Sequence, residues 1–174
     1  MKYIENISHD VYFNLALEEY IFSRFKDEPY LLLWKNDRSI VVGKNQNVFE
    51  EINIKAAEEA KIRVARRMTG GGTVFHDRGN LNYSIITDYD PERLTDYDQF
   101  IDPVVAALKS LGIQAEKRKT SDLVIGGKKI SGNAQTIRGG RVLHHGTLLF
   151  DTDLSLLKDL LKPTEGKITS KSVK

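Results

Sequence analysis

Apolar residues in this chain recur with two periods, and the switches between them mark out the elements. From Asp10 to Phe25 the residues Val11, Leu15 and Phe22, joined by Phe13, Leu17, Tyr20 and Ile21, keep helical spacing behind the capping triplet Ser8-His9-Asp10. This predicts a helix with Glu18, Glu19 and Arg24 on its outer face, preceded by a short strand over Tyr3–Ile7. Two apolar runs, Tyr30–Trp34 and Ser39–Gly43, are separated by Lys35-Asn36-Asp37-Arg38 and predict a hairpin of buried strands. Lys44–Asn47 reads as a loop, Asn53–Lys61 as a short Ala- and Glu-rich helix, and Ile62–Ala65 as a strand. Leu81–Thr87 alternates apolar and polar residues through Ile85, the pattern of a half-buried strand.

After a polar connection at 88–96, Phe100, Val104 and Leu108, with Ile101, Val105 and Leu111, predict a second amphipathic helix between Tyr97 and Leu111. Gly112 is its natural C-cap, and Pro103 must sit in its first turn or kink it. Gln114–Thr120 reads as a polar edge strand whose Lys117, Arg118 and Lys119 are solvated. Asp122–Ile125, a Gly126-Gly127 turn and Lys128–Ile130 make a hairpin, and Gly139-Gly140 turns again into Arg141–Phe150. A last helix, Leu154–Lys162, is capped by Asp151-Thr152-Asp153, presents Leu154, Leu157, Leu160 and Leu161, and is stopped by Pro163. The expected fold is α+β: a mixed, mainly antiparallel sheet with helices on one face and a site on the other.

The chemistry gathers at Arg66-Arg67-Met68-Thr69-Gly70-Gly71-Gly72-Thr73-Val74-Phe75-His76-Asp77, which joins two of the predicted strands. Three consecutive glycines can adopt positive φ and turn their amides toward one anion with no Cβ in the way. Two arginines beside them add permanent charge suited to phosphate or carboxylate. The loop has neither the Gly-Lys-Ser/Thr ending of a P-loop nor the spaced glycines of a dinucleotide-binding turn.

Composition narrows the field. The 174 residues, 40% hydrophobic and 29% charged, suit one globular domain. With 26 basic against 24 acidic residues and no long basic block, nucleic acid is not an expected partner. No run is long and apolar enough for a signal peptide or a membrane span, so a cytoplasmic protein is expected. The absence of cysteine excludes thiolate chemistry within the chain. His144 and His145 are adjacent on a strand and face opposite ways, so no metal site is expected from them.

The glycine block, read as R-R-x-[ST]-G-G-G-[AT]-V-F-H-D followed by Gly79-Asn80, resembles the lipoate–protein ligases of the biotin/lipoate ligase superfamily. Asp122–Ile125 through Lys128-Lys129-Ile130-Ser131-Gly132-Asn133-Ala134 resembles that family's lysine segment, and His144-His145-Gly146-Thr147-Leu148-Leu149 its H-H-G-T-L-L strand. The resemblance implies an enzyme that activates lipoate with ATP and Mg²⁺ to lipoyl-adenylate. The acyl group then passes to a lysine of a lipoyl carrier domain of 2-oxoacid dehydrogenases or the glycine cleavage H protein.

It further implies Lys129 as the catalytic cation, with Arg67, Gly70, Gly71, Gly72, Thr73, Val74, Phe75 and Lys129 at ATP. Lipoate would meet Arg67, Gly72, His76, Lys129, Gly43 and Gln46. The expected domain is 1–163, with 164–174 a basic tail ending where family members carry a further segment and an accessory domain. Two alternatives stay open: a truncated module that binds lipoate or its adenylate without transfer, and octanoyl or biotinyl transfer. For the last of these the chain lacks both a cysteine nucleophile and a Gly-Arg-Gly-Arg loop.

Overall fold

A computed structural model of the chain describes residues 1–93, 96–119 and 121–162. The end of the predicted edge strand at Thr120, the stop at Pro163 and the tail 164–174 lie outside the described residues. The elements follow in order as β1 (Lys2–Glu5), α1 (Val11–Arg24), β2 (Tyr30–Trp34), β3 (Ser39–Val42), α2 (Val48–Glu51), α3 (Ile54–Glu59), β4 (Arg63–Arg66), β5 (Val74–His76) and β6 (Asn80–Asp88). A 3₁₀ turn at Pro91–Arg93 leads to α4 (Asp98–Ser110), β7 (Glu116–Arg118), β8 (Asp122–Ile125), β9 (Lys128–Arg138), β10 (Arg141–Leu149) and α5 (Leu154–Leu160).

Among the described residues the strands form two sheets, one of seven strands in the order β1-β2-β6-β10-β9-β8-β7 and one of three in the order β4-β3-β5. Pairing is antiparallel except at β1–β2 and β3–β4, so the α+β fold with a mixed, mainly antiparallel sheet is what the chain adopts. The Gly-Gly turns at 126–127 and 139–140 have positive φ at both positions, as two-residue hairpins of this twist require. Asp10 caps α1 by accepting from the amides of Tyr12 and Phe13, as its position predicts.

Several expectations are overturned. β2 and β3 are not a hairpin; they belong to different sheets. The four-residue link crosses between layers because Asn36 is fully buried and bonded to Asn14 and His76, and hydrogen bonds of this kind are invisible in a hydropathy pattern. Glu18 is buried, whereas Phe13 and Tyr20 are exposed. The true inner face of α1 is Val11, Asn14, Glu18, Ile21 and Phe22. β6 is buried on both faces, with Asn80, Asn82 and Ser84 among its buried residues. Leu154 is exposed, α2 was not anticipated, and Pro103 falls in the second turn of α4.

The layering also differs from a sheet covered on one side. Ile21 and Phe22 of α1 pack with Tyr30, Leu32, Trp34, Ile86 and Leu143, while Phe100 of α4 packs with Tyr83, Ile85 and Val142. Because alternate strand residues face opposite ways, α1 and α4 lie on opposite faces of the large sheet. The small sheet shares the α1 side: Val11 and Leu15 pack with Val41, Ala65 and Val74. The chain therefore encloses its cavity between two sheets.

Asp77 joins the layers at their far end. One carboxylate oxygen accepts from the amide of Gly79 and the other from that of Asp153, so the β5–β6 turn is tied to the start of α5. Gly79 is required there because a Cβ would collide with the backbone of Asp151. Asp77→Ala is expected to destabilise the fold by about 2–4 kcal/mol, the loss of two hydrogen bonds to a buried carboxylate. Urea unfolding with an unchanged m-value measures this.

Candidate active site

The register of the large sheet lays out the floor of the cavity. Trp34 pairs with Asn82, Asn82 with Thr147, and His145 with Ala134. One row of side chains thus runs across β2, β6, β10 and β9 through Trp34, Asn82, Thr147 and Gly132. At ~4.8 Å per strand this row is about 14 Å long. The roof is Leu15 of α1 with Val41, Arg67, Gly71, Gly72, Thr73, Val74 and His76 of the small sheet and its loop. Between them lies a slot of about 210 Å³. Trp34, His76 and Asn82 line one end; Lys129 and Asp122 lie beyond Gly132 at the other.

The glycine loop is shaped from beneath by Arg67. Its Nη2 donates to the carbonyls of Gly70 and Gly72, each at 2.7 Å, its Nη1 to that of Val41, and its Nε to the Thr69 hydroxyl. Burial pulls its pKa down to about 10, against the opposing pull of Glu18. With the loop's carbonyls held inward, no protein group among the described residues accepts from the amides of Gly70, Gly71 or Gly72. Gly71 has φ +88°, the conformation only glycine adopts cheaply.

Arg67 is itself held by a buried chain. Thr69 Oγ1 lies 2.7 Å from His145 Nε2, and His145 Nδ1 donates to the Glu18 carboxylate at 2.9 Å. Ser84 donates to the same carboxylate and accepts from Trp34 Nε1. The chain links α1, both sheets and the glycine loop.

Lys129 reaches the slot through a β-bulge. Leu123 pairs with Ser131 but Val124 pairs with Lys129, leaving Ile130 as the extra residue. The extra residue reverses the alternation and puts Lys129 on the same face as Gly132. A Cβ at Gly132 would meet Lys129 Nζ at 3.1 Å, so the missing side chain leaves the lysine its path. Lys129 Nζ pairs with Asp122 Oδ1 at 2.7 Å and stays about half exposed.

Of the residues singled out in the sequence, the slot brings together Arg67, Gly71, Gly72, Thr73, Val74, His76 and Lys129. Phe75 packs instead with Ile40 and Val42 in the core of the small sheet, and Gly70 does not line the slot. Gly43 and Gln46 brace the glycine loop from behind. Gln46 Oε1 accepts from the Gly43 amide and the Thr73 hydroxyl, and a Cβ on Gly43 would strike the carbonyl of Gly71. Glu18, Thr69, Asn82 and Asp122 were not singled out. For Glu18 a signal existed: Asn14 and Glu18 stand four apart in step with Val11 and Ile21, two polar residues at core positions of a helix.

The adjacent histidines face opposite ways, as strand geometry demands. His144 stacks on Phe100 across the sheet from the slot. Burial lowers the pKa of both His144 and His76 to about 3, so both rings are neutral in the folded protein near neutral pH. Below the ordinary value of 6.5 the unfolded chain binds protons that these rings refuse. Their contribution is therefore whole above about pH 6.5 and falls as pH drops toward 3. Each ring costs up to ~1.4 kcal/mol per pH unit in that window. Thermal unfolding between pH 7 and 4 should show a steep loss that His144→Phe makes shallower.

Comparison with known proteins gives a consistent answer. The lipoyl protein ligase A/B catalytic domain family matches residues 10–174. The lipoate-protein ligase LplJ of Bacillus subtilis is 46% identical over 176 aligned residues, covering all of this chain and 53% of the relative. A bipartite lipoate protein ligase from Thermoplasma acidophilum, solved in work on its E2 lipoyl domain, superposes with a TM-score of 0.84 at 34% identity. That match covers 94% of this chain and 66% of the other. A lipoate-protein ligase A bound with ATP gives 0.80 at 32% identity over 94% of this chain and 71% of the other. The chain spans about half the length of the curated relatives it matches. Matched by the family model over residues 10–174 and 46% identical to a relative along its whole length, the chain belongs to the lipoyl protein ligase A/B catalytic domain family.

Proposed function

We propose that the chain activates lipoate with ATP and passes the acyl group to a lysine of a lipoyl carrier domain, such as those of 2-oxoacid dehydrogenases or the glycine cleavage H protein. One observation carries the proposal: free backbone amides and an ammonium stand at one end of a slender, largely apolar slot. Its volume equals about seven water molecules, enough for one thin acyl chain. The nucleotide would lie over the glycine loop at the open end. Residues 1–163 are the catalytic unit in this proposal.

In the first step a lipoate carboxylate oxygen attacks the α-phosphorus of ATP, and the bond to the bridging oxygen breaks to release pyrophosphate. Two anions must approach, so a cation that touches both lowers the barrier by stabilising charge that grows in the transition state. Lys129 has the reach and the exposure for this. The amides of Gly70 to Gly72 would donate to phosphate oxygens, with Thr73 and Val74 beside the nucleotide. Arg67, which gives three of its N–H donors to the loop and one to the Val41 carbonyl, would act by holding those amides in place. In the second step a carrier amine attacks the acyl carbonyl and AMP leaves. Among the described slot residues Asp122 alone bears a carboxylate, and Mg²⁺ at phosphates is commonly held by one or two. Asp122 would hold Mg²⁺, whose charge would offset that of the phosphates.

Titration calorimetry with lipoate plus ATP, followed by mass spectrometry of the bound species, should find lipoyl-adenylate. No binding of either ligand would refute the proposal. Retained adenylate that no lipoyl domain discharges would instead favour a binding module without transfer. Lys129→Ala should slow pyrophosphate release by ~10²–10³. Lys128→Ala is the control, since Lys128 does not line the slot.

Gly72→Val tests the loop. Nothing lies within 4 Å of a Cβ at this position, so the fold should survive and nucleotide binding should fail. Wild-type ATP affinity in that variant would show that no ligand uses the space.

A further inference from the structure

The end of the slot away from Lys129 carries polar groups that the apolar requirement of an acyl chain does not explain. His76 and Asn82 line it, are 3% and 2% exposed, and among the described residues His76 Nε2 and Asn82 Nδ2 have no hydrogen-bond partner. A buried polar group left unpaired is costly, so such groups signal water or a ligand atom.

The state of His76 follows from its neighbours. Asn14 Nδ2 faces the carbonyls of Ser8 and Lys35, which identifies it as the amide nitrogen, and it donates to Asn36 Oδ1 at 2.8 Å. Asn36 must therefore turn Nδ2 to His76 Nδ1, at 3.0 Å. A neutral ring accepting at Nδ1 carries its proton on Nε2. His76 thus offers the slot a fixed N–H donor, its ring set edge-on to Trp34.

We infer that this end is a hydrogen-bonding subsite at which His76, aided by Asn82, selects an acyl chain with sulfur at its distal end over a plain fatty acyl chain. The inference rests on the proposed function and specifies its substrate. A dithiolane places weak acceptor sulfurs where a saturated chain has only C–H, so the saturated chain leaves both donors unpaired or must share the space with water.

The test is titration calorimetry of lipoate and of octanoate with the full chain, in wild type, His76→Phe, His76→Gln and Asn82→Leu. Wild type should prefer lipoate. His76→Phe should narrow that preference by roughly threefold to tenfold, the contribution of one modest hydrogen bond, through weaker lipoate binding, tighter octanoate binding once the unpaired donor is gone, or both. His76→Gln, which can restore a donor, should recover part of it. Asn82→Leu leaves the Asn14–Asn36 network intact, so it keeps the question open to test if His76→Phe misfolds, and it should narrow the preference too. A lipoate-to-octanoate ratio unchanged in His76→Phe and Asn82→Leu overturns the inference, because the donors would then be served equally with either acid. Wild type that binds neither acid would sink the proposed function itself.

Discussion

The buried chain Glu18–His145–Thr69–Arg67 is the interaction on which the rest of the site depends. Glu18 comes from α1, His145 from the large sheet, and Thr69 and Arg67 from the loop that follows β4. Two charges of opposite sign are buried in one layer, and each is surrounded by donors or acceptors rather than by a single partner. Breaking any link would strand a buried polar group, at a cost of about 1–3 kcal/mol for each group left unpaired. Such a network has one low-energy arrangement, and that arrangement fixes the glycine loop relative to the slot floor.

The two flanks of the site differ in stiffness for the same reason. On the loop side Arg67 is 7% exposed and its guanidinium holds the carbonyls of Gly70 and Gly72, leaving the loop amides unpaired among the described residues and fixed in place. On the opposite side Lys129 is about half exposed and paired with Asp122. Exposed ion pairs contribute only ~0–1 kcal/mol, so Asp122 holds Lys129 only weakly. A rigid set of donors facing a loosely held cation is what the proposed reaction, in which charge builds up at one phosphorus, would use.

Sequence patterning and tertiary structure divide the rest unevenly. The capping of α1 by Asp10, the two Gly-Gly hairpins, the strands on either side of the glycine loop and the opposed faces of His144 and His145 were all legible, because each follows from local backbone geometry. The separation of β2 and β3 was not legible. Both runs are buried on every side that hydropathy can report, and the buried Asn36 between them has the composition of an ordinary turn. The inward turn of Glu18 was misread because charge usually marks a solvated face. Here Ser84 and His145, 66 and 127 residues away along the chain, supply its partners.

By itself, then, the sequence determined an α+β sheet protein with an arginine-flanked glycine loop and a lysine-bearing strand, since turns, caps and periodicity are local properties. Tertiary structure alone decided that the site lies between two sheets rather than on the bare face of one. It also decided which lysine faces the slot. Counting alternate residues from Gly132 and Ala134, which face the slot, a regular strand would present Lys128; the extra residue Ile130, set by pairing with β8, reverses the phase and turns Lys129 inward. A bulge exists only between two paired strands, and no single strand's sequence declares it.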